Sequence, residues 1–135
     1  MRVLSGDDVR RAVPMGAAID VVETAFARLS DGSAVVPLRM HLETPERDAV
    51  SLFMPARIAG GASAALGIKV VSVFPQNARN HAEPTIYALV SLFDPETGRP
   101  LAVIDGTYLT ALRTGAASGV ATRHMARADA HRLAV

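Results

Sequence analysis

Three cationic side chains stand among apolar neighbours in distant parts of the chain. Arg39 lies in Val35 to Glu43, Lys69 in Gly67 to Phe74, and Arg113 in the stretch rich in small residues after Asp105-Gly106. Brought together, they would make an anion site. A guanidinium presents a planar fork that grips a carboxylate through two hydrogen bonds, and an ammonium beside it adds a compact charge whose pKa falls when it is desolvated. The chemistry expected of such a trio is capture of a substrate carboxylate. Each residue also has a plainer reading. Arg39 on the polar side of a strand can be a solvated side chain, and Arg113 can lie along its own helix with its head in water. Lys69 shares a strand face with Val71 and Val73, where an unpaired ammonium is costly to bury. It is also the only lysine, against 13 arginines. A GC-rich coding sequence accounts for the arginine excess but not for where the lysine stands.

Other chemistries find less support. His41, His81, His124 and His131 show no metal-ligand spacing with one another or with a carboxylate, so no metal site is expected. No Gly-x-Ser-x-Gly elbow occurs. The polar loop Phe74 to Asn80 directly follows the Lys69 strand, which puts its backbone near whatever Lys69 binds. With 14 basic and 13 acidic side chains in 135 residues, the net charge of +1 offers no basic face for nucleic acid or an anionic membrane. No run approaches the roughly 18 apolar residues of a membrane span, and Met1 to Asp8 turns acidic where a signal peptide would be apolar. Without cysteine, the chain calls for no oxidising compartment, and a cytoplasmic address is expected.

The elements that must position these residues follow from periodicity. Ser5 can cap a helical turn starting at Gly6, and Pro14 stands where a second helix would begin, with Ile19, Val22, Phe26 and Leu29 at helical spacing up to Asp31-Gly32-Ser33. The period then changes to two. In Val35 to Glu43, Val36, Leu38, Met40 and Leu42 alternate with Arg39, His41 and Glu43, the pattern of a half-buried strand with its apolar face inward. Further strands are expected at Ala49 to Met54, Leu66 to Phe74, Thr85 to Phe93 and Pro100 to Ile104, with a connection at 59–65 and a hairpin over 85–104 closed by Asp94-Pro95-Glu96-Thr97-Gly98. A long helix is then expected to about Arg127, with Leu109, Leu112, Ala116 and Val120 on one stripe and Ala111, Gly115 and Gly119 on another. Two glycines inside a helix each cost about 1 kcal/mol relative to alanine, so a closely packed partner must compensate. Ala128 to Val135 reads as a polar turn leading into an apolar strand.

Several of these stretches, in order and spacing, resemble the ornithine cyclodeaminase and mu-crystallin family. They are Gly67-Ile68-Lys69-Val70-Val71-Ser72-Val73-Phe74-Pro75, Pro84-Thr85-Ile86, and Leu92-Phe93-Asp94-Pro95-Glu96-Thr97-Gly98-Arg99-Pro100-Leu101-Ala102. The run Asp105 to Ser118, with Leu112-Arg113-Thr114-Gly115 inside it, is similar to that family's connecting helix. The likeness extends over essentially the whole chain. It implies an α+β fold with N-terminal helices, an antiparallel or mixed sheet of about five to six strands, and a long connecting helix. Residues 1–127 would be a substrate-binding and dimerisation domain, the sheet serving the homodimer, and 128–135 the start of the first strand of a dinucleotide-binding Rossmann domain. The resemblance implies NAD or NADP as cofactor and cyclodeamination, imine reduction or oxidative deamination of an amino or cyclic imino acid as the reaction. It assigns Arg39, Lys69 and Arg113 to the substrate carboxylate, with Lys69 catalytic and close to the reacting carbon, and it places Thr85 and Thr114 against the dinucleotide.

Two departures qualify what carries over. Relatives that cyclise ornithine have a glutamate two positions before a Met-Pro pair, whereas Leu52 precedes Met54-Pro55 here, which turns the expectation towards a cyclic imino acid or a small apolar amino acid. The glycine-rich phosphate turn would begin after Val135, so the sequence is expected to break off before the Rossmann domain and to be inactive as it stands. The rival expectation is a non-enzymatic homodimeric module that binds a small carboxylate.

Overall fold

The fold is a computed structural model that describes residues 1–61 and 64–132. Local chemistry sets the N-terminal half. Strand β1 (Arg2–Leu4) leads into α1 (Gly6–Ala12), whose start is closed by a reciprocal cap: the Asp8 amide donates to Ser5 Oγ at 3.2 Å and the Ser5 amide donates to Asp8 Oδ2 at 2.9 Å. Pro14 caps α2 (Met15–Ser30), its fixed φ setting the chain up for the first turn. Then come β2 (Ala34–Val35), β3 (Met40–Thr44), a single 3₁₀ turn, β4 (Ala49–Ile58) and β5 (Ala65–Val73). The short α3 (Asn77–Asn80) separates β5 from β6 (Ile86–Phe93), and β7 (Pro100–Asp105) runs directly into α4 (Gly106–Met125).

The seven strands form one mixed sheet in the order β1-β7-β6-β5-β4-β2, with β3 also on β4. Strands β4 to β7 are the expected antiparallel meander, and β6-β7 is the expected hairpin. The α+β architecture is as expected, with two differences. Strand β1 lies parallel to β7, an element that the helix-rich reading of the N-terminus does not include. The single strand expected over Val35–Glu43 is two pieces, with 36–39 outside any ladder, so Arg39 immediately precedes β3 instead of sitting within it. Pro37, which has no amide hydrogen to donate, stands in that gap.

One face of the sheet is covered by helices. Ala102 and Ile104 of β7 pack with Val9 of α1, Ala18 of α2 and Leu112 and Ala116 of α4. Ladder parity places Lys69, Met54, Val90 and Ile104 in one row across this covered side. Met40 and Leu42 fall on the opposite side and are 67% and 59% exposed. The apolar side of this segment, expected to face inward, therefore looks away from the helices, and the His41-Glu43 side shares the face of Lys69. Alternation separates two faces, but only the strand register says which of them meets the helices.

The glycines of α4 find the partner their cost demands. A Cβ at Gly119 would stand 2.6 Å from Ile19 Cδ1 and one at Gly115 would stand 3.3 Å from Met15 Cε, so the bare stripe is where α2 lies. At the other end of α4 the contact is with the sheet itself, because a Cβ at Gly106 would meet the Ala88 carbonyl carbon at 2.9 Å. Backbone cannot rotate aside as a side chain can. Gly106→Ala should therefore lift the start of α4 from β6 and cost about 1–3 kcal/mol, read as a lower midpoint in urea with an unchanged slope. The last turn of α4 is tied to α2 by Arg123, 2.9 Å from Asp20 and 2.5 Å from Glu23, and by His124 Nε2, 2.6 Å from Glu23 Oε1.

Beyond Met125 the chain makes a turn, with the Ala130 amide donating to the Arg127 carbonyl at 3.0 Å. The strand expected at the end of 128–135 falls mainly on 133–135, outside the described residues, as do 62–63 of the connection expected at 59–65.

Candidate functional site

Lys69 is the centre of the site. It projects from the middle of β5 towards the helix-covered side, half-buried, paired in register with Met54 on one flank and Val90 on the other. Its ammonium is held below its ordinary value, first by burial, then by the Arg113 guanidinium and then by the Arg39 guanidinium. Both guanidiniums are thus near enough to Lys69 to disfavour its charge. Arg39 comes from the segment before β3, across β4 from Lys69, and Arg113 comes from the second turn of α4, which packs over β5 and β6. Among the described residues none of the three forms an ion pair, nor do most of the other arginines.

Beside Lys69 the sheet carries a shallow hollow of about 260 Å³, lined chiefly by apolar groups including Met54, Ala56, Gly67, Val90 and Leu92. A wider hollow of about 530 Å³ lies beside the last turn of α4, well past Arg113, and does not include the three cations. Leu52, paired with the buried Val71, shares the Lys69 face but does not line the hollow. A site of this kind can hold a carboxylate at one end and an uncharged ring or short aliphatic chain at the other.

Thr85 ends the loop that follows β5 and is half-buried. Its carbonyl accepts the Phe74 amide at 2.8 Å, and its hydroxyl has no partner among the described residues. Thr114 is exposed on α4 beside Arg113, and its hydroxyl donates to the Thr110 carbonyl at 2.8 Å. Thr85 therefore has a free hydroxyl to offer a ligand, while Thr114 can accept but must break its back-bond to donate.

The sequence points to the cations but misses much of the lining. Met54, Val90 and Leu92 are ordinary strand residues, and their place beside Lys69 follows only from the register of three ladders. His41, read as an ordinary histidine, lies on the Lys69 face opposite Leu52. Among the described residues no group of three or more His, Asp or Glu could hold a metal ion, and no helix is long and apolar enough to cross a membrane.

Comparison with known proteins bears on the chain as a whole. The chain is 40% identical over 135 residues to a delta(1)-pyrroline-2-carboxylate reductase of Bacillus cereus, all of the chain matching 41% of that protein. Its fold superposes with a TM-score of 0.87 on Thermococcus litoralis delta(1)-pyrroline-2-carboxylate reductase, solved in complex with NADH and L-proline, at 44% identity over 96% of this chain and 39% of that one. An archaeal alanine dehydrogenase dimer with bound NAD superposes with a TM-score of 0.86 at 39% identity, covering 96% of this chain and 38% of that one. The chain thus spans about two fifths of the length of these relatives. The ornithine cyclodeaminase/mu-crystallin family matches residues 1–135 from end to end, and together with the fold this places the chain in that family.

Proposed function

We propose that this segment is the substrate-binding and dimerisation part, residues 1–127, of an NAD(P)-dependent enzyme that acts on an amino or cyclic imino acid. The observation that carries the reading is a half-buried Lys69 at an apolar hollow, with the Arg113 and Arg39 guanidiniums near enough to act on its charge. Arg113 and Arg39 grip the substrate carboxylate, and its negative charge relieves the repulsion they impose on Lys69. Lys69 then lies beside the carbon that reacts, where its ammonium can stabilise developing charge or hand a proton to nitrogen. Met54, Val90 and Leu92 surround the rest of the substrate with hydrocarbon. A second amino group would find no carboxylate there, which favours a cyclic imino acid or a small apolar amino acid over a diamino acid.

Thr85 and Thr114 fit one edge of a dinucleotide: Thr85 through its free hydroxyl, Thr114 after its hydroxyl leaves the Thr110 carbonyl. NAD(P), when bound, supplies or accepts the hydride. Backbone donors for a pyrophosphate would come from a glycine-rich turn at a helix N-terminus. The NADH and L-proline bound in one solved relative and the NAD bound in another support a nicotinamide dinucleotide as the cofactor and a small amino or imino acid as the ligand.

A second reading, a homodimeric module that binds a small carboxylate without catalysis, draws on the open sheet face, where Met40, Leu42, Tyr87 and Leu89 are all exposed. Calorimetric titration of the full-length protein with L-proline, L-prolinamide and L-ornithine tests the substrate assignment. L-proline should bind, the amide should not, and ornithine should bind more weakly than proline. Equal binding of the acid and the amide would overturn it. Turnover of NAD(P)H with a cyclic imino acid separates the enzyme from the module.

A further inference from the structure

We propose that Asn77 is a positioning residue for the cofactor edge of the site, acting through the peptide that precedes Thr85. The inference rests on the reading of Thr85 as a dinucleotide contact.

The β5-β6 ladder ends at the pair Val73 and Ile86, and everything from Phe74 to Thr85 must be held by other means. Asn77 is bonded to both ends of that loop. Its amide donates to the Phe74 carbonyl at 3.1 Å, and its side-chain Nδ2 crosses the loop to donate to the Pro84 carbonyl at 3.0 Å. Its own carbonyl accepts the His81 amide at 2.9 Å and the Glu83 amide at 3.4 Å. Pro84 has no N–H with which to secure itself, so the bond from Asn77 is what fixes the end of the loop.

The consequence falls on Thr85. The Pro84 carbonyl and the Thr85 amide belong to one planar peptide unit, so holding the first orients the second. The next peptide plane is held by the Phe74 amide, which donates to the Thr85 carbonyl. Both planes that flank the Thr85 α-carbon are thereby set. A β-branched side chain on a fixed backbone has few rotamers, so the direction of the free Thr85 hydroxyl is set as well. Asn77 itself need not touch the ligand.

The test is a double-mutant cycle in the full-length protein, with NADH and NADPH affinity read by nicotinamide fluorescence. Asn77→Asp keeps the shape and removes the donor. It should weaken dinucleotide binding about fivefold, the size of one neutral hydrogen bond, while L-proline affinity holds. Thr85→Ala should weaken it by at least as much, and the double variant should be no worse than Thr85→Ala alone. A general structural defect would add to the Thr85 effect and lower L-proline affinity too. If Thr85→Ala weakens binding but Asn77→Asp does not, or if the two effects add, the role of Asn77 is overturned and the reading of Thr85 stands. If Thr85→Ala leaves binding unchanged, the reading of Thr85 falls and takes this inference with it. Should Asn77→Asp fail to fold, Asn77→Ala, which removes the donor without placing a carboxylate against the Pro84 carbonyl, is read in the same way.

Discussion

Lys69→Ala in the full-length protein should lower turnover by about 100-fold or more, with unfolding stability unchanged or improved. The two halves of this expectation have the same physical origin. A half-buried ammonium facing two guanidiniums is a cost to the ligand-free fold, and the depressed pKa of Lys69 records that cost. A positioned acid or electrostatic group contributes about 100-fold or more to a chemical step, and alanine removes it. Losing activity while gaining stability marks a functional residue, because a structural lysine would lose both. Near-normal kcat would make Lys69 a structural lysine.

The pH dependence has a definite sign. The folded pKa of Lys69 lies below its ordinary value of 10.5, so between the two the unfolded chain binds more protons. Stability of the ligand-free fold therefore rises with pH through that window, and the cost is present in full below the folded pKa. Carboxylate binding runs the other way. It needs the charged ammonium, so affinity falls as pH rises through the folded pKa, and binding below it is accompanied by little proton uptake. Calorimetry of L-proline binding in buffers of different ionisation enthalpy should show proton uptake appearing on the alkaline side. Lys69→Met should abolish that uptake.

Arg113→Ala should weaken carboxylate binding by about thirtyfold, roughly 2 kcal/mol, the lower end of what breaking a charge-assisted pair costs. Arg113 is the larger of the two guanidinium influences on Lys69, so its removal also lets the Lys69 pKa climb back towards its ordinary value. The proton uptake of the preceding experiment should accordingly shift to higher pH. Arg113→Lys should not restore the affinity, because an ammonium offers no planar fork for the two carboxylate oxygens. Full affinity in Arg113→Ala would remove Arg113 from the site and leave its placement beside Lys69 without a role.

What can be foreseen from the residues is what short-range chemistry decides. Ser5 and Asp8 close a helix start within three positions, Pro14 sets the next one, and Asp94 binds the amides of Glu96 and Thr97 at 2.9 and 3.1 Å to fold the β6-β7 turn. Lys69 is conspicuous in the same way, as a charge inside an apolar run whose burial cost needs no knowledge of its partners. Its neighbours are not legible by that route. Arg39 and Arg113 lie 30 and 44 positions away, and their approach depends on β3 pairing with β4, on β4 pairing with β5, and on α4 crossing β5 and β6. Resemblance to a family names them together, but only the folded chain puts them beside Lys69.

The same limit explains the two misreadings. The pairing of Arg2–Leu4 with β7 joins segments about a hundred residues apart, and three residues carry too little pattern to announce a strand. Met40 and Leu42 show that one side of β3 is apolar, yet apolarity alone does not say whether that side meets helices or lies open. A strand has a two-fold period and no sense of direction, so the choice of face belongs to register and to the layer packed above it. That choice puts His41 on the face of Lys69, and tertiary structure alone decides it.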